Sequence, residues 1–132
     1  MSSSNNPDKL MYSFNTTTQL EWKTVTVSQD SSFIPMRRIC TDAVTDNNGN
    51  IYIFGGATID TVNITYSNEM IIFDTINKIW INGANERFIR AGQTDNFLPD
   101  TNKIVYIGGY SNGLLMDMVD VCIIYSILPY IM

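Results

Sequence analysis

Three carboxylates, Asp42, Asp46 and Asp95, lie in or beside apolar, strand-forming stretches. Two carboxylates brought face to face share a proton and can act as an acid–base pair. Their places next to turn-forming residues predict solvated or turn-capping roles instead. Cys40 and Cys122 are the only cysteines and stand 82 residues apart. That separation matches no metal or redox spacing, and both are expected to be reduced, buried thiols. The chain has no histidine, so imidazole cannot ligate a metal and the usual general base near neutral pH is missing. Two glycine doublets, Gly55-Gly56 and Gly108-Gly109, raise the question of a phosphate cradle, but no Gly-Lys-Ser/Thr follows either. A nucleophile elbow, a Ser-x-x-Lys, a zinc-binding helix motif and a Gly-x-Gly-x-x-Gly are all missing from the sequence. The expectation is a non-catalytic chain with neither cofactor nor metal. "NTT" at Asn15 and "NIT" at Asn63 match the glycosylation acceptor pattern, and are read as ordinary polar loop residues.

Composition narrows the class further. At 132 residues the chain is one domain at most. Hydrophobic residues at 45% and aromatic residues at 11% suit an ordered core. The net charge is −5 with only 8 Lys and Arg, and no basic cluster exists to neutralise phosphates, which argues against nucleic-acid binding. Residues 1–9 read as a disordered lead without the apolar core of a secretory signal. The apolar run 121–132 is 12 residues long and holds Pro129, against about 20 needed for a membrane-spanning helix. No membrane span is expected, and the location is read as cytoplasmic.

What must position any functional residue is a set of strands. Segments such as "KIVYI" (103–107) and "MIIFD" (70–74) are short and rich in β-branched and aromatic residues. No stretch carries apolar residues at helical spacing over three turns. "DNNGN" (46–50) holds Asn48-Gly49, the signature of a tight hairpin of the primed type. "PDTNK" (99–103), "DTINK" (74–78) and "NTTTQ" (15–19) read as further hairpin turns.

The same pattern occurs more than once. Gly55 and Gly108 are 53 residues apart, Arg38 and Arg90 are 52 apart, and "MIIFD" from Met70 falls on "CIIYS" from Cys122. Backwards, "YSFNTTTQLEW" (12–22) resembles "IIFDTINKIW" (71–80), which places Trp22 on Trp80. A period near 50 residues with four short strands per unit is the mark of a propeller blade.

Each unit resembles a kelch repeat: an Arg before the inner strand, Tyr and two glycines around the end of the second strand, a third strand ending near an aromatic residue, and a Trp in the fourth. In the complete unit these are Arg38, Tyr52, Gly55, Gly56, Phe73 and Trp80; in the next they are Arg90, Tyr106, Gly108, Gly109 and Tyr125. Tyr106 stands one place closer to its doublet than Tyr52, and Cys40 stands where the second unit has Gly92. The resemblance spans residues 10–126 and implies an all-β, antiparallel propeller fragment of about two blades and about nine strands. It divides into a blade remnant 10–27, a complete blade 38–84, an incomplete blade 90–126 and an apolar tail 127–132. Trp22 and Trp80 are expected between blades, and Arg38 and Arg90 as structural hydrogen-bond donors.

By default the resemblance implies a non-catalytic protein-binding or scaffold module, here a piece of a longer propeller. The alternative it carries is part of a galactose-oxidase-like enzyme whose metal ligands lie outside this chain. The loops after the second and fourth strands, 28–36, 57–67, 81–89 and 110–116, are expected to vary and to bind. Asp60, Tyr66, Arg87, Tyr110 and Asn112 are the candidate protein contacts, because exposed aromatics and Arg are favoured anchors. A little over two blades cannot close a ring of the roughly 4–8 that propellers need, so uncovered faces predict self-association.

Overall fold

The computed structural model describes residues 10–83, 85, 89–111, 114–115 and 125–126. The lead 1–9, the tail 127–132, Cys122, Arg87, Asn112 and most of the expected strand 117–126 lie outside the described residues. Within them the chain is all-β, as its alternating apolar pattern dictates. In chain order the strands are β1 (Tyr12–Phe14), β2 (Trp22–Thr24), β3 (Asp42–Thr45), β4 (Asn50–Phe54), β5 (Ala57–Ile59), β6 (Ile64–Tyr66) and β7 (Met70–Asp74). They continue with β8 (Ile79–Asn82), β9 (Thr94–Leu98), β10 (Lys103–Ile107), β11 (Tyr110–Ser111), β12 (Leu114–Leu115) and β13 (Tyr125–Ser126). No described helix is long and apolar enough to cross a membrane.

All pairings are antiparallel. The central sheet has the order β3-β4-β7-β8, and a three-stranded sheet has the order β13-β10-β9. β1 pairs with β2 alone. The segments 57–67 and 110–116, expected as loops, carry two-stranded ribbons, β5–β6 and β11–β12. These ribbons raise the strand count above the nine expected from sequence. In β5–β6 short alternations of Thr and Ile sit among polar residues, so the signal reads as loop although Ala57, Thr58 and Ile59 pair with Tyr66, Thr65 and Ile64.

Hairpin geometry corrects a second expectation. The β3–β4 turn is not primed: Gly49 has φ +84 but Asn48 does not reach positive φ. The Gly49 N–H donates to the Asp46 carbonyl, and Asp46 N–H donates to the Asn50 carbonyl. That is a three-residue loop, a turn followed by one left-handed residue. Leu20, Lys78 and Asn102 occupy the same left-handed place before β2, β8 and β10. Asx side chains support these turns; Asp74 Oδ1, for example, accepts from Ile76 and Asn77 N–H.

Both faces of the central sheet are covered. Ile71, Phe73 and Trp80, with Ile51 and Ile53, pack against Leu10, Met11, Val25, Val27 and Phe33 on and around the β1–β2 hairpin. Tyr52, Phe54 and Met70, with Val44 and Ile72, pack against Ile104, Tyr106 and Phe97 of the three-stranded sheet. Trp80 is therefore buried between sheets, its ring 4.7 Å from that of Phe73. Trp22, expected in the same role, is exposed, because it lies on the side of β1–β2 that faces away from the central sheet.

The first glycine doublet makes the packing of consecutive sheets feasible. Gly56 N–H donates to the Arg90 carbonyl at 2.8 Å, so the chain entering the three-stranded sheet crosses directly over the end of β4. A Cβ on Gly55 would sit 2.3 Å from that carbonyl oxygen, and Gly55 has φ +65. Gly55→Ala is expected to cost more than about 3 kcal/mol, from backbone strain plus displacement of the crossing. Cys40 is also left-handed, at φ 54, but its side chain is exposed. Cys40→Gly is expected to be neutral or stabilising by up to about 1 kcal/mol. Urea denaturation of the two variants beside the parent checks both; equal losses would contradict the crossing as the cause.

Candidate functional site

Two arginines at equal places in the repeat anchor the ribbons. Arg38 Nη1 donates to the Gly55 carbonyl at 2.9 Å, to Ser67 Oγ at 3.1 Å and to the Glu69 carbonyl at 3.3 Å. Its Nη2 pairs with the Glu69 carboxylate. Arg90, fully buried, donates from Nη1 to the Gly108 carbonyl at 2.6 Å. Each arginine thus fastens the first glycine of its own doublet, where a charge-assisted bond holds a strand end at a fixed angle. The next residues bridge to the ribbons, Ile39 to Ala57 and Ala91 to Tyr110. Both ribbons consequently leave their sheets at the same point in the repeat.

That placement brings two of the five candidate contacts together. Tyr66, closing β6, and Tyr110, opening β11, meet edge to face with ring centroids 5.5 Å apart. The rings are half-buried, leaving part of each open to a partner. The Tyr66 hydroxyl, and then Cys40, lie close enough to hold the Tyr110 phenol above its ordinary pKa. Cys40 is exposed beside this pair rather than buried. Its left-handed backbone turns the side chain off the pleat of the neighbouring strands, which the apolar surroundings in sequence do not reveal. Asp60 stands exposed at the tip of β5–β6 and is not part of the Tyr66–Tyr110 contact; Arg87 and Asn112 lie outside the described residues. A cleft of about 300 Å³ opens next to Tyr66, lined by Met36, Arg38, Thr65, Ser67 and Glu69 among others. The ribbon pair therefore offers aromatic edges, hydroxyls and an ion pair along one rim.

The three carboxylates take different places. Asp46 fulfils the capping role: its Oδ1 accepts from Asn48 and Asn50 N–H, and its Oδ2 accepts from the buried Tyr52 hydroxyl at 3.0 Å. Burial raises its pKa, but these hydrogen bonds outweigh it and leave the group below its ordinary value. Tyr52 is pushed up by burial and by Asp46. Asp42 lies on β3, its Oδ2 accepting the Asp95 N–H at 2.9 Å. Asp95 is the correction. It is buried between the sheets, and neither carboxyl oxygen has a partner among the described residues. Its alternation with Phe97 along β9 puts both on the face that packs toward the central sheet.

Comparison of the sequence with known protein families and with curated proteins returned no match.

Burial, and then the neighbouring Asp42 charge, push the Asp95 carboxyl up to about 7, with the Gln93 side chain and then Arg90 opposing. A carboxyl raised from 3.8 to about 7 makes the folded state bind the extra proton. Its contribution to stability is complete below about pH 4 and is lost as pH rises through about 7. No histidine competes in this window. The melting temperature is expected to fall between about pH 4 and about pH 7 and to level off above. Asp95→Asn is expected to flatten that fall and to raise the melting temperature at the upper end. A parent protein whose stability stays level across the range would remove the buried charge from the account.

Proposed function

We propose that the chain is built of kelch-type propeller units and works as a non-catalytic protein-binding scaffold, with the Tyr66–Tyr110 ridge as its contact surface. The observation that carries this reading is the meeting of two ribbons from successive units in one aromatic pair. Two further features support the repeat. Arg38 and Arg90 make the same bond to their own glycine doublets, and the bridges Ile39–Ala57 and Ala91–Tyr110 recur in step. Tyr is a favoured anchor because it presents a large, stiff apolar face together with a hydroxyl. Asp60, exposed at the tip of β5–β6, tunes the partner in this reading rather than anchoring it; Arg87 and Asn112 stay in the reading as candidate contacts from the sequence alone. An exposed, unpaired Cys40 fits a reducing, cytoplasmic compartment.

The test is site-specific photocrosslinking followed by affinity measurement. A photoreactive residue at Tyr66 or Tyr110 should capture a discrete protein that the same residue at Asn77, on the β7–β8 turn, does not. Tyr66→Ala and Tyr110→Ala should each weaken that partner about tenfold, equivalent to about 1.4 kcal/mol, with the β-rich circular dichroism unchanged. Capture from Asn77 alone, or affinity unaffected by both alanines, would reject the ridge as the contact surface.

A further inference from the structure

The β1–β2 hairpin repeats, in the open, an apolar face that the central sheet buries. In the central sheet Phe73 stands opposite Trp80 across β7 and β8, with ring centroids 4.7 Å apart and planes at 51°. In the hairpin Phe14 stands opposite Trp22 across β1 and β2, with centroids 5.0 Å apart and planes at 47°. Tyr12 takes the place of Ile71, two residues before the Phe in both. The buried trio Ile71, Phe73 and Trp80 is 2%, 1% and 4% exposed, whereas Tyr12, Phe14 and Trp22 are 54%, 41% and 70% exposed. One surface, built twice, is covered once.

The side that receives the next sheet in the interior also recurs, open at its two ends. Each sheet of the stack has one side like Phe73–Trp80 and an opposite side that receives the next sheet. In the central sheet the receiving side holds Tyr52 and Phe54 of β4, packed against Ile104 and Tyr106. Aligning the glycine doublets puts Val105 and Ile107 of β10 at the places of Tyr52 and Phe54. The β9–β10 register sets Leu98 opposite Lys103, so Leu98, Val105 and Ile107 share one face. Val105 is buried, and Leu98 and Ile107 at the two ends of the row are 40% and 41% exposed.

From this we propose that a second copy of the chain stacks head to tail on the first, with Tyr12, Phe14 and Trp22 of one copy on the Leu98–Ile107 face of the other. The occupant follows from continuity with the two sheet–sheet contacts inside the chain, since the hairpin half of that type of contact is exposed and the receiving half is open at Leu98 and Ile107. Three aromatic or large apolar side chains at this density, each able to bury about 150–250 Å², exceed the scattered exposure usual on a monomer. Contact between unlike faces is heterologous: it closes into a ring if the rotation per copy allows, and otherwise extends. This inference rests on the stacking of the sheets and not on the Tyr66–Tyr110 ridge.

The experiment is sedimentation velocity with light scattering on three proteins: the parent, Trp22→Glu and Ile107→Lys. Both substituted side chains are solvent-exposed, and circular dichroism with thermal melting confirms that each variant folds. The parent is expected to rise above its 14.9 kDa monomer mass as concentration increases through the micromolar range. Each variant alone is expected to remain at monomer mass. Mixed together, they are expected to form a dimer of one of each, because the first keeps its Leu98–Ile107 face and the second keeps its Trp22 face. A parent that stays monomeric overturns the proposal. So does association lost in Trp22→Glu but kept in Ile107→Lys, which marks like-with-like pairing of the hairpin faces. Polydisperse aggregation unaffected by either substitution overturns it as well.

Discussion

One backbone crossing sets the spacing of the structure. The Arg90 carbonyl occupies the position a side chain on Gly55 would need, 2.3 Å from where its Cβ would stand. Because the site is empty of side chain, the chain leading to the three-stranded sheet lies directly on the end of β4 and receives the Gly56 N–H. The contact fixes how far apart the two sheets sit and therefore which residues fill the gap: Tyr52, Phe54, Ile104 and Tyr106. The Phe54 and Tyr106 rings, 4.6 Å apart, fit a gap of that width. Arg38 completes the crossing from below by holding the Gly55 carbonyl and Glu69 together. A charged residue is tolerated there because its fork of donors meets a carbonyl, a hydroxyl and a carboxylate at once.

Stacking of this kind gives each strand residue one of two fates. Along β4, Tyr52 and Phe54 go toward one neighbour and Ile51 and Ile53 toward the other. Both faces are apolar, which explains the continuous run "IYIF" where a half-exposed strand would alternate. β1 and β2 read differently, since only the Met11 and Val25 side has a partner within the described residues. Their outward residues are nevertheless aromatic. The sequence of the hairpin is that of a strand pair covered on both sides, although Tyr12, Phe14 and Trp22 are exposed.

The strands of the two larger sheets were legible in the sequence because repeat spacing and pleat alternation act over the whole chain. The arginines were legible as well, through their 52-residue separation, although their acceptors were not. Glu69 and Ser67 meet Arg38 only across strands, a contact with no sequence period. The β5–β6 ribbon has no clear sequence signal because its residues pair within a polar context, held by the Ile39 bridge rather than by a buried face. Asp95 was readable in principle: in "TDNFL" it shares parity with Phe97, so burying Phe97 buries Asp95. Proximity to a turn suggests solvation, but strand parity decides which way the side chain goes. Cys40 failed for a different reason, a single left-handed residue that reverses side-chain direction without altering the apolar surroundings.

Separation of roles follows from where the repeat is strict and where it is loose. Residues that recur in step, the arginines, glycines and second-strand apolar rows, lie at crossings and between sheets, where volume changes propagate through packed neighbours. The ribbons hang from those crossings by a backbone bridge, and β5–β6 shares little of the core: Ile59 and Ile64 are exposed, and of its strand residues only Ala57, at the root, is buried. Changing the tip therefore leaves sheet spacing untouched, while the Arg38 and Arg90 bonds keep each ribbon's root in place. Tyr66 and Tyr110 sit at the roots, not the tips. Their separation is dictated by the sheet spacing that Gly55 permits, so the aromatic pair inherits the rigidity of the stack. A contact surface placed there keeps its geometry whatever the ribbon tips carry, and that distinguishes the pair from Asp60, whose position depends on the tip alone.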